Sequence, residues 1–167
     1  MSKLNKHSCA LLCICVFLLP MPALADIDRL AAILIRFSQY SELPTHTERF
    51  QLCVIQDERI LPALNRLLPE FHQFEPEVIL LLDPMDAKPC HIVWSGFPYW
   101  PSDDWLQLLN NQPILWISDH PDLFRRGVLI SVHYTPQTVR FRVNLTQARS
   151  QQIRFNSRLL QLAYEII

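Results

Sequence analysis

The sequence predicts one α/β domain, a mainly parallel sheet flanked by helices, with an antiparallel hairpin at its C-terminal end. Three observations lead there. Apolar segments of strand length alternate with segments of helix length, the order that sets parallel strands side by side with helices on the faces. Val78-Ile-Leu-Leu-Leu82 is a continuous apolar run, typical of a parallel strand buried on both faces. Val139-Arg-Phe-Arg-Val143 instead alternates apolar and basic residues, the period of a half-buried strand. It follows another strand across the turn Thr135-Pro-Gln-Thr138, so the two are expected to pair as a hairpin.

The first 25 residues are set apart from this domain. Lys3, Lys6 and His7 precede an apolar run of eleven residues, Cys9–Leu19, and Ala23-Leu-Ala25 then offers an A-x-A cleavage site. Eleven residues are too few for a membrane span, which needs roughly 20. Residues 1–25 therefore read as a signal peptide, and cleavage after Ala25 leaves an exported domain of residues 26–167. Such a domain is long enough to bury about two thirds of its unfolded surface.

The expected elements follow in order. Asp26 and Asp28 favour the start of an apolar helix over Ile27–Ser38. Phe50–Ile55 is a strand, and Pro62 suits the first turn of a helix over Pro62–Leu68. Glu77–Leu82 and Cys90–Ser95 are strands. Ser102, Asp103 and Asp104 make an acidic start for a helix over Trp105–Asn110. Ile114–Ser118 and Val128–His133 are strands, and Val139–Val143 completes the hairpin. Leu145–Ser150 is a helical turn, and Ile153-Arg-Phe155 alternates again. Asn156 or Ser157 then caps a last helix with Leu159, Leu160, Ala163 and Ile166 or Ile167 on its apolar face.

Charge is unevenly placed. Residues 26–122 carry 6 basic and 15 acidic side chains, and residues 123–167 carry 7 arginines and one glutamate. The two halves either lie together and cancel, or the arginines form a partner surface. The mature domain is weakly acidic, which argues against a nucleic-acid partner. The histidines show no metal-ligand spacing, and a structural zinc site needs about four convergent ligands. No metal or cofactor is expected. Neither a G-x-S-x-G turn nor a Gly-rich phosphate loop occurs, and no catalytic constellation assembles. Cys53 and Cys90 are the cysteines left after signal removal, and in an oxidising compartment they most simply pair. Phe97-Pro-Tyr-Trp-Pro101, followed by Trp105, either folds down on Trp105 as core or presents Tyr99 and Trp100 as binding anchors.

The tail is the most specific segment. Phe141, Asn144, Ala148, Ser157, Leu159, Leu160, Leu162 and Ala163 fall where the YfiR-like family carries its strand, alanine-rich turn and closing helix, and the domain resembles that family. Phe37, Pro44, Leu52-Cys-Val54 and Cys90-His-Ile92 extend the likeness. Departures are Leu43 in place of a usual Trp, Gln56 in place of a Gly, Arg126-Gly127 in place of Gly-Gly, and Arg142 in place of a Glu. The resemblance implies the Cys53–Cys90 disulfide, a periplasmic location, a homodimer, and repression of the sensor domain of an inner-membrane diguanylate cyclase without enzymatic activity. The alternative is a periplasmic small-ligand sensor feeding a receptor such as a histidine kinase, with its ligand at strand C-termini. Candidate partner contacts are Arg140 and Arg142 on the outward face of the last strand, Arg125 and Arg126 near them, and Tyr99 with Trp100.

Overall fold

The computed structural model describes residues 22–44, 50–70, 77–82, 90–135 and 138–167. The signal segment ahead of Pro22, the Asp83–Asp86 turn, and Pro136 and Gln137 lie outside these residues.

Helix α1 (Pro22–Gln39) begins ahead of the predicted cleavage point. It buries Leu30, Ala31, Leu34, Ile35 and Phe37. Strand β1 (Ser41–Glu42) follows, then β2 (Gln51–Ile55). A 3-10 turn leads into α2 (Leu61–Leu67), with Pro62 in its first turn as expected. Next come β3 (Glu77–Leu81), β4 (Ile92–Ser95), α3 (Asp103–Asn111) and β5 (Leu115–Ser118). The Ser102 side chain caps α3, accepting a hydrogen bond from the Trp105 amide. Strands β6 (Ile130–Tyr134) and β7 (Val139–Val143) form the expected hairpin. Helix α4 (Leu145–Ser150), β8 (Arg154–Phe155), α5 (Ser157–Leu162) and β9 (Glu165–Ile166) close the chain.

The main sheet has the order β3-β2-β4-β5-β6-β7-β9. Strands β2 to β6 run parallel, β7 is antiparallel to β6, and β9 is parallel to β7. Both central strands are buried throughout, as parallel strands covered by helices must be. Register assigns the covering layers. Ile117, Ile130, Val132 and Phe141 share one face, where Phe37 of α1 meets Phe141 at 4.9 Å between ring centroids. Trp116 points to the opposite face, where Trp105 of α3 meets it at 5.8 Å. Helix α4 lies beside α3, since Gln151 Nε2 donates to the Leu109 carbonyl at 2.8 Å. Cys53 and Cys90, with Cα atoms 5.9 Å apart, form the disulfide that ties β2 to the start of β4.

Two expectations need correction. The apolar run of β3 is at the sheet's edge and only half-buried, and Leu82 is 74% exposed, because β3 has a strand neighbour on one side alone. The last helix ends at Leu162, so Ile166 is not on its face. Instead the chain turns back as β9, where the Tyr164 and Ile167 amides reach the Phe141 and Val143 carbonyls at 3.1 and 3.0 Å. The outer backbone groups of β7 would otherwise lack strand partners, and β9 supplies them. The alternation at Ile153-Arg-Phe155 does correspond to a strand, β8, which pairs with β1 in a separate two-stranded ribbon.

Candidate functional site

The strand order places a crevice by topology. The chain leaving β2 turns to one side, toward β3, and the chain leaving β4 turns to the other, toward β5. In open α/β sheets the space between two such strands, beyond their C-terminal ends, is where ligands bind. Here it is a cleft of about 490 Å³ lined by Gln56, Asp57 and Arg59 from the end of β2 and by Gly96–Trp100 from the end of β4.

Polar side chains at the strand ends hold these loops. Asp57 is nearly buried, at 7% exposure, and both its oxygens are occupied. Its Oδ2 accepts from Trp94 Nε1 at 3.1 Å, and its Oδ1 accepts from Arg59 Nε at 2.7 Å. Gly96 permits this closeness, because a Cβ there would stand 2.5 Å from Asp57 Oδ2. Next door, Trp116 Nε1 donates to Ser95 Oγ at 2.9 Å and Ser118 Oγ donates to the Ser95 carbonyl at 2.7 Å. The Phe97 amide donates to Asp119 Oδ1 at 2.6 Å, fixing the aromatic loop to the end of β5. Burial, with a smaller repulsion from Asp57, pushes the Asp119 carboxyl above the usual carboxylate range.

The aromatic loop does both things the sequence left open. Tyr99 folds down, its ring edge-on to Trp105 at 5.5 Å. Phe97 and Trp100 stay outside, 57% and 49% exposed. The ring of His120 sits beside both, at 5.4 and 5.0 Å. Arg126 crosses the Trp100 ring at 5.1 Å and pairs with Asp103 at 2.8 Å. Trp100, Tyr99 and Arg126 therefore belong to one region.

The tail arginines do not join them as a cluster. Alternation along β7 holds, with Phe141 and Val143 buried and Arg140 exposed. Arg142, expected to face solvent, is instead folded beneath the 3-10 turn Leu123–Arg126. Its guanidinium lies 4.2 Å from the Phe124 ring centroid, donates to Ser131 Oγ and the Pro121 carbonyl, and stands 3.6 Å from Glu165. Arg140 lies over the Tyr164 ring at 4.5 Å, and Arg125 is exposed on the 3-10 turn. Sequence reasoning missed Asp57, Arg59 and Asp119. The available signal was an acidic residue within two positions of the end of each of two predicted strands, but only the strand order brings those ends into one region.

A family model described as YfiR/HmsC-like matches residues 28–164. The chain belongs to the YfiR/HmsC-like family. No curated protein matches it. A solved structure described as a conserved domain protein from Vibrio cholerae O1 biovar eltor resembles it at 11% identity and a TM-score of 0.48, covering 84% of this chain and 60% of that one. The signature positions of the YfiR/HmsC-like tail have visible work in this fold. Asn144 Oδ1 caps α4 by accepting from the Gln147 amide at 2.9 Å, Ala148 is fully buried, and Leu159 anchors α5. Two departures are also accommodated: Gln56 takes a positive φ of 49°, which glycine adopts freely, and Arg142 finds its countercharge in Glu165.

Proposed function

We propose that this protein is a periplasmic, non-enzymatic regulator that binds the sensor domain of an inner-membrane diguanylate cyclase and holds it inactive, lowering cyclic di-GMP signalling and biofilm output. The observation that carries this reading is the family match across residues 28–164. A disulfide inside the domain fits an oxidising compartment. The exposed Phe97 and Trp100, with Arg126 laid over Trp100, have the composition of a binding anchor, since aromatic residues and arginine dominate interface energetics. Repression needs nothing more than tighter binding to the cyclase's inactive state than to its active one.

Affinity capture from detergent-solubilised membranes tests the partner. The tagged, exported protein is expected to retain a membrane protein with a GGDEF domain, and Trp100→Ala is expected to reduce its recovery. Capture of a histidine kinase with no cyclase in the eluate would replace this reading with the sensor alternative.

A further inference from the structure

We propose that the cleft at the ends of β2 and β4 is a binding site for a small aromatic carboxylate. The site begins with how Arg59 is held. Its Nε is committed to Asp57, and Asp57 is fixed from its other oxygen by Trp94 at the base of the cleft. The Arg59 guanidinium is thus tethered at one edge, while its side chain remains 64% exposed. Among the described residues its terminal amino groups make no hydrogen bond. A planar fork held this way matches the two oxygens of a carboxylate, and a group already held in place gives up little freedom on binding.

The second element is the rim. Trp94, Trp105 and Trp116 are fully buried, whereas Phe97 and Trp100 expose their rings beside the cleft. The Phe97 amide is tied to Asp119, and Trp100 is braced by His120 and Arg126, so the rings stand on supported backbone. An aromatic body against these rings would cover apolar surface that water now meets.

Charge narrows the class further. Asp57 neutralises much of Arg59, and Asp119 lies close enough for its carboxyl to feel both. A dianionic phosphate would meet two carboxylates with one guanidinium to offset it, whereas a monoanion makes a balanced set. A volume of about 490 Å³ suits a ligand of one or two rings. Two other clefts lack this combination. One of about 650 Å³ between α3 and α4 is lined by amides such as Asn110, Gln147 and Gln151. The other, of about 480 Å³ beside β1, offers Arg149 and Arg154 without an aromatic ring.

The inference concerns the isolated protein, so its outcome is separate from the identity of the membrane partner. The test is calorimetric titration of the purified mature protein with benzoate, benzamide, benzylamine and phenyl phosphate, with the indole N–H resonances followed by NMR. Saturable benzoate binding that shifts the Trp100 indole signal is expected. The other three probes are expected to bind at least about tenfold more weakly, the discrimination a hydrogen-bonded charge supplies. Arg59→Lys keeps the charge beside Asp57 but loses the fork, and is expected to weaken benzoate by about tenfold. Trp100→Ala, a change at an exposed ring, is expected to weaken benzoate while leaving the melting temperature near wild type, and decides the matter if Arg59→Lys does not fold. No saturable benzoate binding, equal binding of benzamide or benzylamine, preference for phenyl phosphate, or unchanged benzoate affinity in Trp100→Ala would overturn the proposal.

Discussion

Asp119 shows how one residue records its surroundings. Burial raises its carboxyl in the folded protein above the ordinary value of about 3.9, so the fold takes up that proton more readily than the unfolded chain does. At neutral pH the ionised group therefore costs stability, and the cost disappears as pH falls through the folded value toward the unfolded one. Asp119→Asn keeps an oxygen to accept the Phe97 amide and removes the charge. It is expected to melt higher than wild type at pH 7, with the gap closing as pH approaches about 4. Melting curves across that range check it, and a lower melting temperature at pH 7 would contradict the argument. His91 has the opposite sign. Burial lowers its pKa, its Nδ1 accepts the Gln51 amide at 3.1 Å and its ring stacks on Phe50. That contribution is full above the ordinary imidazole value of about 6.5 and is lost as pH falls below it. Some of this detail was visible beforehand. The resemblance implies Gly at position 56, and the positive φ that Gln56 adopts there is one that glycine takes freely. Asp119 was not legible as a site residue, because a polar residue after a strand is usually only the start of a loop.

At the scale of elements, β7 and its neighbours decide what the tail arginines do. Arg140 and Arg142 point to the same side of β7, yet their surroundings differ, because the Leu123–Arg126 turn and β9 cover one and not the other. Arg142→Glu would lose its bonds to Pro121 and Ser131 and place a second carboxylate beside Glu165, and is expected to cost about 1–3 kcal/mol. Arg140→Glu gives up an exposed contact over Tyr164 and is expected to cost about 1 kcal/mol or less. Urea denaturation of the two variants measures the difference, and equal midpoints would contradict it. The long strands were legible because their own residues carry the pattern: alternation in β7, continuous apolar burial in β4 and β5. Strands β1, β8 and β9 span two residues each and are defined by their partners: alternation at Ile153–Phe155 marked β8, but no periodicity announced β1 or β9. The edge position of β3 was hidden for a related reason, since a Val-Ile-Leu run reads alike at an edge and in the centre.

At the scale of the whole molecule, the main sheet is pinned between its second and third strands by Cys53–Cys90, both cysteines nearly or fully buried. Closing a loop of 37 residues restricts the unfolded chain by about 3–4 kcal/mol, a large share of the roughly 5–15 kcal/mol that stabilises a domain. Cys53→Ala with Cys90→Ala is expected to lower the urea midpoint accordingly and to reduce the folded, partner-competent population; an unchanged midpoint would contradict this. The fold class was legible because element order follows the chain. The cleft was not, because it exists only once β4 settles beside β2 on the side away from β3, bringing residues 57–59 and 96–100 together. The proposed regulation is restraint of a membrane diguanylate cyclase by the folded protein. Cyclic di-GMP quantified in cells carrying the captured cyclase, with and without the exported protein, tests it most directly. Low cyclic di-GMP is expected when the protein is present, and a rise of several-fold when it is absent or carries Trp100→Ala. Equal levels with and without the protein, at matched cyclase abundance, would contradict it.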